Sequence, residues 1–475
     1  MNLFNRTKIV ATIGPASESP KVLRELIEAG VDVCRLNFSH GNYAIHQETV
    51  RNIRTINREL KCNTSILVDL QGPKLRIGEI KDNEAVLADG AEVIFTSHEC
   101  IGDSSRLYMN YLQFPLDVAI GDNILIDDGK IRLTVLETNR RDEVKARVVN
   151  GGKVSSRKGV NLPHTRISLP SLTPKDLEDL EFALHLNVDW IGLSFVRKAS
   201  DILELKDLIA KRGKRIRVIA KIEKPEALLE IDQIIRETDA LMVARGDLGV
   251  ELPMQEVPLV QKMLVRKCIE SSKPVIIATQ MMESMINSFS PTRAEVNDVA
   301  NSVIDGADAV MLSGETSVGL HPVQVVKTMR EIIETVEEKG YHYNRGHKPD
   351  IESKTFISDS VCYNACVMAS QVGAKAIVAV TRSGYTAYRV SSQRPDAEIL
   401  IFTDEPSLLS VLSLVWGVRS FFYDHSVTTD ETISELQSIL KAEKLVNTGD
   451  IVINLASIPL EEQGRTNMIK LGTVQ

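Results

Sequence analysis

Short apolar runs, each closing on a polar cluster, recur along the first two thirds of the chain, at residues 8–12, 31–37, 65–70, 190–194, 217–222, 240–244, 275–279 and 309–312. Continuous apolar runs of this length are what a parallel strand covered on both faces requires. Helical periodicity fills the intervals, as at 175–186 and 258–271. The first such segment, 19–29, places Ser19 to cap the helix and Pro20 in its first turn, with Gly30 to end it. Eight strand–helix units are the count of a (β/α)8 barrel.

The spacing of these runs is even except between Leu70 and Trp190. That interval carries strand patterns of its own at 92–96, 123–126, 131–136 and 143–149, with turn chemistry at Asp127-Asp128-Gly129 and Asn150-Gly151-Gly152. Residues 73–167 therefore read as a small all-β domain inserted after barrel strand three. The barrel itself is expected from 1–72 and 168–345. Insertions at that point lie at the barrel mouth, so a lid is the expected role. After a helix at 322–339, the polar stretch 341–354 reads as a linker. A helix near 357–372 and strands at 376–381, 398–403 and 450–456 then predict a C-terminal α/β domain over 355–475. No internal repeat beyond the βα alternation is apparent.

Composition narrows the function classes. At roughly 150 residues per domain, 475 residues suit about three domains. Hydrophobic residues at 43% and charged residues at 25% are ordinary globular proportions. The 56 basic against 64 acidic side chains give a net charge of −8, which speaks against nucleic-acid binding. No apolar window is long enough to span a membrane, and the start of the chain lacks a signal-peptide pattern. A cytoplasmic location is expected. Cys34, Cys62, Cys100, Cys268, Cys362 and Cys366 form no C-x-x-C pair and read as reduced core residues.

Barrel enzymes carry their chemistry at the carboxyl ends of the strands. Those ends hold Arg35, Asn37 and Ser39 after strand two and Asp69 at strand three. Strand five supplies Lys221 and Glu223, strand six Arg245 and Asp247, strand seven Thr279 and Gln280, strand eight Ser313 and Glu315. Any one of them could be a helix cap or a solvated charge; their gathering on one rim is harder to dismiss. Glu223 and Asp247 suit a divalent metal, since Mg²⁺ is normally held by one or two carboxylates plus waters and substrate oxygens. Lys221 lies two residues before Glu223, so on an extended strand both point to the same face. It could offset charge developing on a phosphoryl group or an enolate, or simply pair with Glu223. Gly246 lets a ligand approach the backbone. No phosphate-binding P-loop or kinase catalytic loop is present, and His40 and His46 read as polar neighbours rather than metal ligands.

Nine blocks in unbroken order resemble the pyruvate kinase family: Arg35-Leu-Asn-Phe-Ser-His-Gly41, Asp69-Leu-Gln-Gly-Pro-Lys-Leu-Arg76, Lys158-Gly-Val-Asn-Leu-Pro163, Ser194-Phe-Val-Arg-Lys-Ala-Ser-Asp201, Lys221-Ile-Glu223, Met242-Val-Ala-Arg-Gly-Asp-Leu-Gly249, Ala278-Thr-Gln-Met281, Pro291-Thr-Arg-Ala-Glu295 and Met311-Leu-Ser-Gly-Glu-Thr316. The resemblance runs from residue 7 to about 340 and more weakly to the end, with no extra C-terminal phosphotransfer domain expected. It implies phosphoryl transfer from phosphoenolpyruvate to ADP, giving pyruvate and ATP, with Mg²⁺ or Mn²⁺ as cofactor. In that light Lys221 stabilises the transition state, and Glu223 and Asp247 hold the metal. Ala244, Arg245 and Gly246 cradle the substrate beside Asp247, and Thr279 lies near the enolate. Arg35 contacts phosphate, while His40, Arg76 and Lys158 contact the nucleotide, with Asn37 beside them. Asn37, Ser39, Asp69 and the Leu70 carbonyl form a monovalent-cation pocket.

Three further expectations follow from the resemblance. Many members need K⁺ and carry Glu where this chain has Lys74; an ammonium there can place fixed charge where the ion would sit, making K⁺ dispensable. Thr381, Arg382, Ser383, Gly384 and Thr386 resemble an effector phosphate loop for a phosphorylated allosteric ligand. The second effector region departs from the family's, reading Glu462-Gln-Gly-Arg-Thr-Asn-Met-Ile-Lys470. A homotetramer is the family expectation. The rival readings are a Mg²⁺-dependent pyruvate-enolate aldolase or lyase on a barrel, and a non-catalytic metabolite sensor.

Overall fold

The apolar runs of the first two thirds fold as eight strands: β1 (Lys8–Ile13), β2 (Val33–Asn37), β3 (Ser65–Asp69), β4 (Trp190–Leu193), β5 (Arg217–Ile222), β6 (Ala240–Ala244), β7 (Val275–Ala278) and β8 (Ala309–Leu312). In the computed structural model, which describes residues 4–163, 165, 167–425, 428–457 and 465–475, each pairs in parallel with its sequence neighbours. β8 closes the barrel on β1, from Lys8 opposite Ala309 to Ala11 opposite Leu312. β1 is buried along its whole length, as a strand between a packed interior and a helix layer must be. The helix Pro20–Ala29 starts and stops where its sequence predicts. The Ser19 hydroxyl accepts from the Val22 N–H, and Gly30 takes the left-handed φ of 117° that a side chain would resist.

The barrel floor carries a fourfold pattern that the sequence reading passed over. Asp32, Asp189, Asp239 and Asp308 each stand immediately before an even-numbered strand. Each carboxylate reaches back to the first turn of the preceding odd strand and accepts one backbone N–H. The pairs are Asp32 with Ile9 at 2.9 Å, Asp189 with Ile66 at 2.7 Å, Asp239 with Val218 at 2.9 Å, and Asp308 with Val275 at 3.0 Å. Strand-start donors that lack a ladder partner are thereby satisfied by a side chain. Each acid also meets a cation: Lys8, Arg54, Lys206 with Arg217, and Arg394 respectively. Three of these cation sets come from the barrel; Arg394 comes from the C-terminal domain.

The inserted segment forms a six-stranded sheet in the order Val160–Asn161, Asn123–Ile126, Ile131–Thr138, Glu143–Asn150, Glu92–Thr96, Arg106–Tyr108. Its core is its own, built on residues such as Val93, Phe95, Leu133 and Ala146. The C-terminal sheet runs in the order β11 (Val418–Phe422), β10 (Glu398–Thr403), β9 (Ala376–Val380), β12 (Ile451–Ala456) and β13 (Met468–Thr473), all parallel except β13. β11 and β13 were not foreseen from the sequence. This domain shares a continuous hydrophobic core with the barrel, through Ile377, Ile399 and Trp416.

The stretch 341–354 contains no helix or strand, yet its first half is a packed strap rather than a free linker. Tyr341 is buried and stacks on Trp416 at 5.6 Å, and the Asn344 N–H donates to the Arg394 carbonyl at 2.7 Å. All six cysteines are free; Cys34, Cys268, Cys362 and Cys366 are buried, whereas Cys62 and Cys100 are only partly so. No helix among the described residues is long and apolar enough to cross a membrane.

Candidate active site

The carboxyl ends of β2, β3 and β5 converge on a buried charge cluster. Asp69 is 1% exposed and lies between two cations. Arg35 donates to its Oδ2 through both Nε and a terminal nitrogen, and Lys221 Nζ reaches the same oxygen at 3.0 Å. Lys221 also meets Glu223 Oε1 at 2.9 Å and donates to Ser194 Oγ at 2.7 Å. Ser194 in turn donates to the Leu70 carbonyl at 2.7 Å. The glycine of β4 makes room: a Cβ on Gly192 would fall 2.5 Å from Asp69 Oδ1. That oxygen has no hydrogen-bond partner, an orphan acceptor in a fully buried site.

Electrostatics follow from this packing. Burial would lower the Lys221 ammonium, but Asp69 and Glu223 outweigh it and hold the lysine above its ordinary range, fully charged. Burial would raise the Asp69 carboxyl, and Arg35 and Lys221 reverse that. Glu223 goes the other way: burial pushes it up, Lys221 opposes, and the neighbouring charge of Asp247 adds to the rise. Two carboxylates that repel each other at the rim of a buried site are a donor set that a divalent cation relieves. No cluster of three or more His, Cys, Asp or Glu converges among the described residues. A metal here would draw its remaining ligands from water and substrate, as Mg²⁺ does. The residues fit that ion.

The far side of the mouth is strained. Thr279 has φ 70° and Gln280 φ 55°, and for a β-branched residue the left-handed region is costly. The Thr279 hydroxyl accepts from the Gly246 N–H at 2.7 Å, at the start of the helix Arg245–Glu251. Arg245 holds the strained peptide: it donates to the Thr279 carbonyl at 2.8 Å and pairs with both Asp298 oxygens at 2.7 Å. Its guanidinium is thus committed to structure, and the Gly246 N–H is committed to Thr279.

On the lid side, Arg76 and Lys158 come together on adjoining backbone segments, joined by the Ile77 N–H to the Lys158 carbonyl at 3.0 Å. Lys158 pairs with Asp127 at 2.8 Å. Lys74 is exposed at the hinge. His40 is lowered by partial burial and by the charges of Arg76, Lys74 and Arg35, which marks these four as one positive region. Asn37 and Asp69 are register partners across β2 and β3, and Asn37 Oδ1 accepts from the Ser39 N–H at 3.2 Å. Leu70 adjoins Asp69, so the four residues of the expected cation pocket are neighbours.

The loop Thr381–Thr386 lies far from this cluster in the fold, at the end of β9. Gly384 adopts φ 81°, the Thr381 hydroxyl caps the Gly384 N–H at 3.1 Å, and Arg382 pairs with Asp404 at 2.6 Å. The Ser383 carbonyl accepts from Arg217, at the start of β5. Of the second effector segment, residues 462–464 lie outside the described residues. Sequence reasoning missed three contributors. Ser194 directly follows β4, and its position alone would have flagged it. Phe195, at φ 54°, donates its N–H to Glu223 Oε2 at 2.9 Å. Asp298 is an ordinary helical residue with no sequence signal.

Known proteins agree with this architecture. A family model described as "Pyruvate kinase, barrel domain" matches residues 4–326, and "Pyruvate kinase, alpha/beta domain" matches 359–471. The chain is 43% identical over 467 residues to a pyruvate kinase of Mycobacterium intracellulare, covering 98% of each. It is 41% identical to one of Geobacillus stearothermophilus, covering 99% of this chain and 80% of that one. A crystal structure of a pyruvate kinase from Cryptosporidium parvum superimposes with TM-score 0.93 at 34% identity, covering 99% of this chain and 96% of that one. With family models matching barrel and α/β domain, and relatives matching nearly the whole of this chain, it belongs to the pyruvate kinase family.

Proposed function

We propose that the protein transfers the phosphoryl group of phosphoenolpyruvate to ADP, yielding pyruvate and ATP. The observation that carries the reading is the buried Arg35–Asp69–Lys221–Glu223 cluster facing Asp247. Phosphoryl transfer needs positioning and fixed charge more than covalent help. Lys221, kept charged by Asp69 and Glu223, supplies positive charge to the transferring group, and Arg35 does the same from β2. The Ala244–Gly246 backbone and the Thr279 hydroxyl line the opposite wall and orient the three-carbon acid. Thr279 is set to hold or relay the proton that converts enolate to pyruvate. Glu223 and Asp247 would hold Mg²⁺ or Mn²⁺, which supplies charge neutralisation at the phosphoryl and carboxylate oxygens. Arg76, Lys158 and His40, with Asn37, bind the nucleotide phosphates as the lid excludes water.

The domain boundaries 1–72 with 168–345, 73–167 and 355–475 belong to the same reading. So do a cytoplasmic location, a homotetramer, and a phosphorylated effector at Thr381, Arg382, Ser383, Gly384 and Thr386. K⁺ is dispensable in this reading, because the Lys74 charge already bears on the mouth beside Asn37, Ser39, Asp69 and Leu70. The test is ADP-dependent formation of pyruvate and ATP from phosphoenolpyruvate by the purified protein. Cleavage of a hydroxy-acid substrate without ADP would support the aldolase reading instead, and no turnover would support the sensor.

A further inference from the structure

The helix Arg245–Glu251 carries Asp247 in its first turn and ends on a glutamate that the reaction does not use. Glu251 is 3% exposed, and its Oε1 takes two donors from different parts of the molecule. One is Lys224, itself 6% exposed and next in sequence to Glu223. The other is the side-chain amide of Asn161, at 2.9 Å, from the lid strand that pairs with Leu125. A second contact joins the same two bodies. The lid turn at Gly129 lies beside Val250, at a distance where a Cβ on the glycine would make ordinary van der Waals contact with its Cγ1, 3.9 Å away. Lys158 pairs with Asp127 of that turn and stands three residues before Asn161.

A buried ion pair needs further hydrogen bonds to offset its desolvation. Here the additional donor comes from the lid, so the pair is fully served only while the lid rests on the barrel. The oxygen of Glu251 thereby connects three segments: the β5 exit with Glu223, the helix with Asp247, and the lid stretch with Lys158. A pair serving folding alone would have no use for a donor from a separately cored domain. We infer that Glu251 is a positioning residue, a latch that Lys224 anchors and Asn161 engages, holding the lid against the metal-bearing rim and fixing the spacing of Glu223 and Asp247. The inference rests on those two carboxylates holding the metal.

Asn161→Ala tests it, because the variant removes the lid donor and leaves the Lys224–Glu251 pair intact. In the full-length protein, amide hydrogen exchange over 123–130 and 158–161 should quicken at least about tenfold. Mn²⁺ binding, followed by electron paramagnetic resonance without substrates, should weaken about tenfold, as when an outer support of a metal site is lost. The KM for ADP should rise more than kcat falls. The double variant Lys224→Gln with Glu251→Gln keeps a donor, an acceptor and the Asn161 contact without buried charge, and should hold lid protection near wild type; protection lost as in Asn161→Ala would count against the latch. Unchanged exchange and unchanged Mn²⁺ affinity in Asn161→Ala would overturn the latch. Glu223→Gln and Asp247→Asn serve as controls. If they retain wild-type Mn²⁺ affinity the metal reading fails, and the exchange result still judges the latch.

Discussion

At the barrel floor, Asp32, Asp189, Asp239 and Asp308 each answer a strand-start N–H and meet a cation set of their own, whereas at the mouth Asp69 alone holds Arg35 and Lys221 together. Floor carboxylates are satisfied by the fold and point at nothing further. The mouth leaves an orphan acceptor on Asp69, a raised Glu223 beside Asp247, and left-handed backbone at Thr279. Groups that folding alone would not arrange in this way lie where a substrate can complete them, which is why the two ends respond differently to substitution.

The largest difference is expected from Lys221→Met. In the proposed mechanism its charge serves the phosphoryl group, and losing it should cut kcat about a thousandfold. The fold should survive, because Arg35 still pairs with Asp69. Retention of activity within tenfold, measured by steady-state turnover, would remove Lys221 from the mechanism. The counterpart at the floor is Arg394→Met, which strips Asp308 of its cation and leaves a buried carboxylate with only the Val275 and Trp416 N–H groups. A cost of about 3–5 kcal/mol in urea unfolding, with kcat near wild type, is expected. A fall in kcat without loss of stability would mean that the floor, too, serves the chemistry.

Legibility in the sequence follows the same division. The eight strands were readable because burial on both faces demands uninterrupted apolar runs, and Ser19, Pro20 and Gly30 announce their helix by local chemistry. The fourfold aspartate was not, since one Asp before a strand looks like any loop charge until four carboxylates are seen reaching back to four N–H groups. β11 and β13 also escaped: β11 reads Val-Arg-Ser-Phe-Phe with a half-exposed face, and β13 is an edge strand with exposed Lys470 and Leu471. At the mouth, Lys221, Glu223, Asp247 and Thr279 could be read from their places on strand ends. Their substrate came only from the resemblance. Asp298 and Glu251 act through contacts made across the fold, and a single sequence holds no trace of those.

A smaller effect should separate the lid hinge from the floor. The proposed role of Lys74 as the fixed cation requires turnover in tetramethylammonium buffer to be nearly equal with and without KCl. In Lys74→Glu the rate without K⁺ should drop about tenfold and return with it, since a carboxylate at that point recruits an ion rather than replacing one. Strong K⁺ activation of the wild type would show that Asn37, Ser39 and Asp69 still depend on a bound ion.

The smallest expected effect is also the one that opposes the two ends most directly, because Asp32 at the floor and Asp69 at the mouth are shifted in opposite senses. Burial raises the Asp32 carboxyl from 3.8 to about 6, against the pull of Lys8 and the Ile9 N–H and with Glu337 adding to the rise. Folded protein therefore holds that proton longer than unfolded chain, and Asp32 erodes stability as pH climbs from about 4 through about 6. Asp69 is lowered, so its contribution is present above the unfolded value and disappears as pH falls through the folded one. Asp32→Asn keeps an acceptor for the Ile9 N–H and removes the ionisation cost, though Lys8 loses its partner. Losing the partner of a buried ammonium costs stability at every pH, so the mark of the raised Asp32 is the trend: the variant should gain on wild type by about 1 kcal/mol or more between pH 4 and pH 8. Asp69→Asn should instead lose stability at pH 8, leaving Arg35 and Lys221 facing each other, and should draw nearer to wild type in acid. Urea midpoints of both variants between pH 4 and pH 8 decide the matter. If both variants gain on wild type, or both lose, as pH rises from 4 to 8, Asp32 and Asp69 obey one rule and the contrast between them fails.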